Sequence, residues 1–160
     1  MITRQMRTSD KGRRLIKDFE GLRLNAYLCP AGVATIGWGH TAGVKMGQSI
    51  TEQQAEQMLT EDLQPVERLL NTMNVNFRQG QFDALASWIF NLGRGTFVSS
   101  TLCKRIQAGA GDEEVARQMV RWVNASGKPL AGLMKRRVAE ANMYLGRERY
   151  KVENNSIVRV

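Results

Sequence analysis

Glu20 ends a helix-forming stretch and opens the segment EGLRLNAYLCPAGVATIGWGHT, where Gly21, Gly32, Gly37 and Gly39 are interspersed with aromatics and hydroxyls. A glutamate at a helix C-terminus faces the negative end of the macrodipole. Packing among Phe19, Leu22 and Tyr27 would also withdraw it from water, and both effects favour a carboxyl that keeps its proton. Such an acid is what general-acid cleavage of a glycosidic bond requires. The plain alternative is a solvated glutamate at a helix end. The glycine-rich loop weighs against it, because functional residues gather where backbone is arranged around a ligand. Nine residues after Glu20, where a partner carboxylate would be sought, the chain has Cys29.

Other chemistries fit less well. His40 is the sole histidine, and no G-x-S-x-G elbow accompanies it to support a Ser-His-Asp arrangement. A Cys29–His40 pair is compatible with composition, since imidazole can activate a thiol. The GWG run lacks the lysine and hydroxyl of a phosphate-binding loop. With only Cys29, Cys103 and His40 available, a Cys/His zinc site is excluded by count, and neither metal nor cofactor is expected. The opening residues carry no apolar signal core and no later run is long enough to span a bilayer, so a reducing compartment and free thiols are expected.

The elements that must position Glu20 follow from periodicity. Ser9 and Asp10, followed by Leu15, Ile16 and Phe19, predict a short helix ending near Glu20. Glycines, Pro30 and the β-formers of VATIGWGHT predict strands and tight turns over about 20–50. Ser49 with Glu52 reads as a capping box opening a long helix over about 51–74, in which Pro65 marks the point for a kink or break. Beyond residue 78 the pattern is helical throughout. Phe82, Leu85, Ala86, Ile89 and Leu92 form one stripe closed by Gly93; Ser99 or Ser100 starts the next helix and Gly109 stops it. Asp112 reads as the N-cap of a further helix, and Leu130, Leu133, Met134, Ala141 and Leu145 as the core face of the last, ending at Gly146. The polar residues 147–160 read as a loosely held tail.

The expected architecture is therefore α+β and mainly helical: one domain over 1–160, with a small β-lobe, a connecting helix and a helical lobe over about 75–146 onto which the first helix packs. Two lobes joined by one helix leave a cleft suited to an extended substrate. Hydrophobic and charged fractions of 42% and 24% are those of a globular protein and argue against a disordered tail. A net charge of +8 calls for an anionic partner or surface, unless the basic residues only solvate helix faces.

FEGLRLNAY followed by TIGWGHT resembles the signature of the phage-type lysozymes of glycoside hydrolase family twenty-four. QFDALASWIFNLG, SSTLCKRI and GLMKRRVAEANMYLG continue the resemblance in order over roughly residues 9–146. It implies a lysozyme-like two-lobed fold and an endolysin that hydrolyses the β-1,4 bond between N-acetylmuramic acid and N-acetylglucosamine in peptidoglycan. The family's catalytic Glu, Asp and Thr fall on Glu20, Cys29 and Thr35, so the acid is kept and the second group has become a thiol. Thr41, Phe90, Asn91 and Thr101 are then expected to bind substrate. His40 is expected to fix its turn, Trp38 to sit in the core, and Arg136 and Arg137 to tie the last helix to its neighbours. The implied partners are peptidoglycan and anionic envelope polymers, with a holin-type permeabiliser releasing the monomeric enzyme from the host cytoplasm. Nucleic acid and stable membrane insertion are not implied. A lytic transglycosylase, needing one acid and no activated water, and a non-enzymatic basic binding module are the rival readings.

Overall fold

The computed structural model describes residues 5–160. Helix α1 (Asp10–Glu20) begins where Ser9 accepts a hydrogen bond from the Gly12 amide, and Asp10 adds a negative charge to its first turn. It runs out at Gly21, whose amide still bonds the Lys17 carbonyl. Strands β1 (Arg23–Leu28) and β2 (Ala34–Gly37) form an antiparallel hairpin with Tyr27 opposite Thr35 and Leu28 opposite Ala34. The loop after it returns to β1 through Ala26 N to Gln48 O and Ile50 N to Leu24 O, both 2.9 Å.

The connecting helix α2 (Glu52–Thr72) starts differently from expectation. Its capping box is Thr51 with Gln54. The Ser49 hydroxyl instead donates to Asn25 at 2.6 Å and fastens the loop to the hairpin. Pro65 lies inside one continuous helix, at the expense of a single backbone hydrogen bond.

Helix α3 (Gln79–Leu92) is the axis of the molecule. The expected single stripe is in fact burial on every side from Gln81 to Ile89, because α1, α2 and the last helix all pack against it. Asp83, buried on α3, accepts from the Ser9 amide at 2.9 Å and from the Ser9 hydroxyl, so it holds the start of α1. Gly12 permits this approach, since a Cβ there would lie 2.6 Å from the Asp83 carboxyl carbon.

Two short helices follow, α4 (Arg94–Ser99), which the pattern did not predict, and α5 (Thr101–Gln107), capped by Ser100 accepting from the Cys103 amide at 3.0 Å. In α6 (Asp112–Met119) the N-cap is Gly111. Asp112 is the first helical residue and accepts from Arg78 at 3.0 Å and Gln81 at 3.1 Å. A minimal hairpin, β3 (Asn124–Ala125) and β4 (Lys128–Pro129), then leads to α7 (Ala131–Leu145). Leu130 is 46% exposed, so it does not belong to the core face assigned to it.

The C-terminal segment is ordered structure in place of a loose tail. Strands β5 (Tyr150–Glu153) and β6 (Ser156–Arg159) pair antiparallel about Asn154 and Asn155, both in the left-handed region that a tight hairpin turn needs. Asn142 of α7 clasps the hairpin: its Oδ1 accepts from the Arg149 and Tyr150 amides at 2.9 and 3.0 Å, and its Nδ2 donates to the Tyr150 carbonyl. Tyr150 is buried against Ala116 and Ala141.

The main core lies in the helical lobe around Phe82, Leu85, Trp88, Phe97 and Leu102. A second cluster of Ile16, Trp38, Ala55, Leu59 and Leu63 joins α1, the β-lobe and α2. Trp38 is thus a core residue, as expected, with the Lys17 ammonium 4.5 Å from its ring centre.

Candidate active site

Glu20 is the last residue of α1 and stands where the β-lobe meets the helical lobe. Its side chain is 20% exposed. Phe19 lines the cleft beside it, as expected, and the carboxyl oxygens themselves meet a guanidinium and backbone. Oε2 accepts from Arg136 Nη1 of α7 at 2.6 Å. Oε1 faces Gly39, where a Cβ would approach to 2.8 Å. Gly39 also has φ of +77°, a conformation that side chains resist. That double requirement accounts for the second glycine of GWG. With one oxygen fixed by a guanidinium and the other against bare backbone, the carboxyl has a single orientation.

A cleft of about 490 Å³ opens beside it, lined by Phe19, Glu20, Asn91, Arg136 and residues 130–133. The exposed Leu130 and Phe19 give it apolar walls, and the Arg136 guanidinium lies 5.8 Å from the Phe19 ring centre. Arg136 and Arg137 do tie α7 to its neighbours, as expected. Arg136 also reaches across to Glu20, a contact that periodicity does not give. What the local spacing does signal is the ion pairing within α7, since Arg136 and Arg137 are four and three residues before Glu140.

Cys29 and Thr35 are brought together at the hairpin turn. Cys29 follows β1 and closes the turn through its amide to the Val33 carbonyl at 3.0 Å and its carbonyl to the Gly32 amide at 2.8 Å. Thr35 on β2 is buried and donates to the Val33 carbonyl at 2.9 Å. Hydrogen bonding by the Val33 backbone first, then Ala31, with the Thr35 hydroxyl contributing less, holds the Cys29 thiol below its usual range. These contacts favour the thiolate more than an ordinary thiol's surroundings would. Cys103, a buried residue of α5, is pushed the other way by burial. Both thiols are free.

His40 is committed to structure. Its Nδ1 lies 2.8 Å from Asp62 of α2, and its backbone exchanges two hydrogen bonds with Ile36. This ties β2 to the connecting helix, and the structure gives no sign of a Cys29–His40 pair. Thr41 follows on the exposed loop. Phe90 packs against the second core cluster, and Asn91 lines the Glu20 cleft while accepting from Arg137 at 2.6 Å. Thr101 lines a separate hollow with Gln118, Arg121 and Trp122. Among the described residues no group of three or more potential ligands could hold a metal ion, and no helix is long and apolar enough to cross a membrane.

A carboxyl acid fixed at the junction of a small β-lobe and a larger helical lobe, beside a cleft floored by the last helix, defines a lysozyme-like glycosidase. Residues 17–140 match the phage lysozyme family. An endolysin of Acyrthosiphon pisum secondary endosymbiont phage 1 is 44% identical over 144 residues, covering 87% of this chain and 98% of that one. An endolysin from Escherichia coli O157:H7 phage FAHEc1 has the same fold, with a TM-score of 0.80 at 39% identity over 90% of this chain and 96% of the other. The active form of P1 phage endolysin Lyz gives 0.80 at 31% identity over 88% and 86%. Its secreted inactive form gives 0.60 at 30% identity over 88% and 96%. The chain belongs to the phage lysozyme family, and it is an endolysin-type glycosidase.

Proposed function

We propose that this endolysin hydrolyses the β-1,4 bond between N-acetylmuramic acid and N-acetylglucosamine in peptidoglycan, with Glu20 as general acid and Cys29 and Thr35 placing the attacking water. What carries the assignment is the fixing of Glu20 between Arg136 and Gly39 at the cleft. Glu20 delivers its proton to the leaving oxygen as the bond breaks. A thiolate at Cys29, favoured by its turn, supplies negative charge to orient water, and the neighbouring Thr35 hydroxyl shares that task. Asn91 and Phe90 on α3 and Thr41 on the β-lobe loop would contact the glycan, and Thr101 would do so where a longer glycan reaches its hollow. The likeness to the active form of P1 endolysin supports a competent arrangement of the lobes.

The test is Glu20→Gln. It should lose lysis by a factor of about 10²–10⁴ while circular dichroism and thermal midpoint hold. A fully lytic, folded variant overturns the acid assignment. Weighing fragments of purified peptidoglycan separates the mechanisms, because hydrolysis leaves reducing ends and a transglycosylase leaves anhydro ends lighter by one water.

The net charge of +8 would draw the enzyme to anionic envelope polymers. Lytic rate should then fall as ionic strength rises; an unchanged rate removes that attraction. Two free thiols suit storage as a monomer in the reducing host cytoplasm, with release to the wall through a holin-type permeabiliser.

A further inference from the structure

Behind Glu20 lies a buried charge cluster that bond cleavage leaves without a task. Glu140 of α7 is fully buried. Its Oε2 accepts from the Ser87 hydroxyl at 2.6 Å and from Arg136 Nε at 3.2 Å, and its Oε1 is 2.9 Å from Arg137 Nε. Arg136 is thereby a bridge. One edge of its guanidinium meets Glu140, Nη1 reaches Glu20, and Nη2 donates to the Ser87 carbonyl at 3.2 Å. Arg137, fully buried, continues to Asn91 on the cleft wall. Burial pushes the Glu140 carboxyl up, opposed first by Arg137 and then by Arg136. Without Glu140, two buried guanidiniums would face Glu20 alone, an arrangement that strongly favours an ionised carboxylate.

We propose that Glu140 is a positioning residue for the acid: it offsets one of the two guanidiniums behind Glu20 and fixes the angle at which Arg136 presents Nη1. The consequence is a carboxyl that is held rigidly yet can still carry the proton it must deliver. The inference rests on Glu20 being the general acid.

Charge counting makes the idea testable. Arg136, Arg137 and Glu140 together place one net positive charge behind Glu20. Glu140→Gln raises this to two, and Arg137→Gln lowers it to none. The other charged or titratable groups on the elements that meet at Glu20 are common to all variants. On α1 they include Asp18 and Lys17, the latter paired with Glu56; on α7 they include Lys135. On the β-lobe they include Arg23, Tyr27, Cys29 and His40, the last held by Asp62 of α2. From α3 the neutral Ser87 and Asn91 join the cluster, while its charged Asp83 is occupied at the start of α1.

Initial rates of peptidoglycan digestion would be measured against pH at fixed ionic strength. General-acid activity disappears on the alkaline side as the acid gives up its proton. Glu140→Gln should move that alkaline limb to lower pH by about one unit, because added positive charge favours the carboxylate. Arg137→Gln should move it to higher pH, and the double variant should return it to the parental position. Folded single variants whose limbs stay in place, or shift in the same direction, overturn the proposal. If one single variant fails to fold, the other and the double still decide it, since each has its own expected position. A purely packing role would lower rate and thermal midpoint without opposed shifts. A lytic Glu20→Gln protein would overturn the acid assignment itself, a result distinguishable from stationary limbs in the Glu140 and Arg137 variants.

Discussion

The two halves of the candidate site are held by different physics. Glu20 is fixed by a guanidinium that arrives from 116 residues away, itself locked in a buried cluster. Cys29 is held by the backbone of its own turn, within four residues, through Val33 and Gly32. A carboxyl near the protein interior needs a partner from the far side of the fold to stay in one orientation, and such a partner transmits any disturbance of the core. A thiol in a tight turn needs only local hydrogen bonds. Substitution should therefore propagate on the acid side and stay local on the thiol side.

The largest combined loss of rate and stability that would break this contrast lies at Gly39, which touches Glu20 but belongs to the β-lobe. Gly39→Ala forces a Cβ onto Oε1 and strains a left-handed φ, so lytic rate should fall about 10²-fold from displacement of the carboxyl alone. The strain should cost about 1–2 kcal/mol in denaturant unfolding, leaving a folded protein. A fully active Gly39→Ala would mean that Glu20 has freedom the structure does not give it.

Next comes the Cys29 series. Cys29→Ala should lower the rate by about 10²-fold with thermal stability nearly unchanged, Cys29→Ser by less, and Cys29→Asp should match or exceed the parent. Equal activity of Cys29→Ala and the parent would make the thiol a bystander and leave water placement to Thr35.

The smallest effect compares the two thiols directly. Iodoacetamide should alkylate Cys29 before Cys103 near neutral pH, since the turn lowers one thiol and burial raises the other. The sign follows from the direction: a lowered Cys29 retains thiolate where an ordinary thiol has lost it, and its labelling slows only as pH falls through that lowered value. Mass spectrometry of the labelled peptides reads the order, and faster labelling of Cys103 would reverse it.

Local signals explain what could be read in advance. Ser9, the glycines of the β-lobe and the apolar periodicity of α2 and α3 each act within a few residues, and those elements lie close to where the pattern puts them. The hairpins at 124–129 and 150–159 lie outside that pattern because their strands are short, stand among polar residues and turn on the left-handed pairs Ser126–Gly127 and Asn154–Asn155. Glu20, Cys29 and Thr35 could be named from one segment. The contact of Arg136 with Glu20 could not, since nothing in the spacing of residues 20 and 136 brings α7 beneath the end of α1. Packing on the shared axis of α3 does so.

That distance along the chain has a consequence for timing. A nascent polypeptide emerges with α1, the β-lobe and α2 complete while the segment carrying Arg136 and Glu140 has yet to be made. The carboxyl proposed as proton donor is thus synthesised early and given its orientation late. Prematurely terminated chains ending before residue 131 would carry every residue of the EGL…GHT segment and still lack the anchor for Glu20. The orientation of Glu20 waits until α7 has been made.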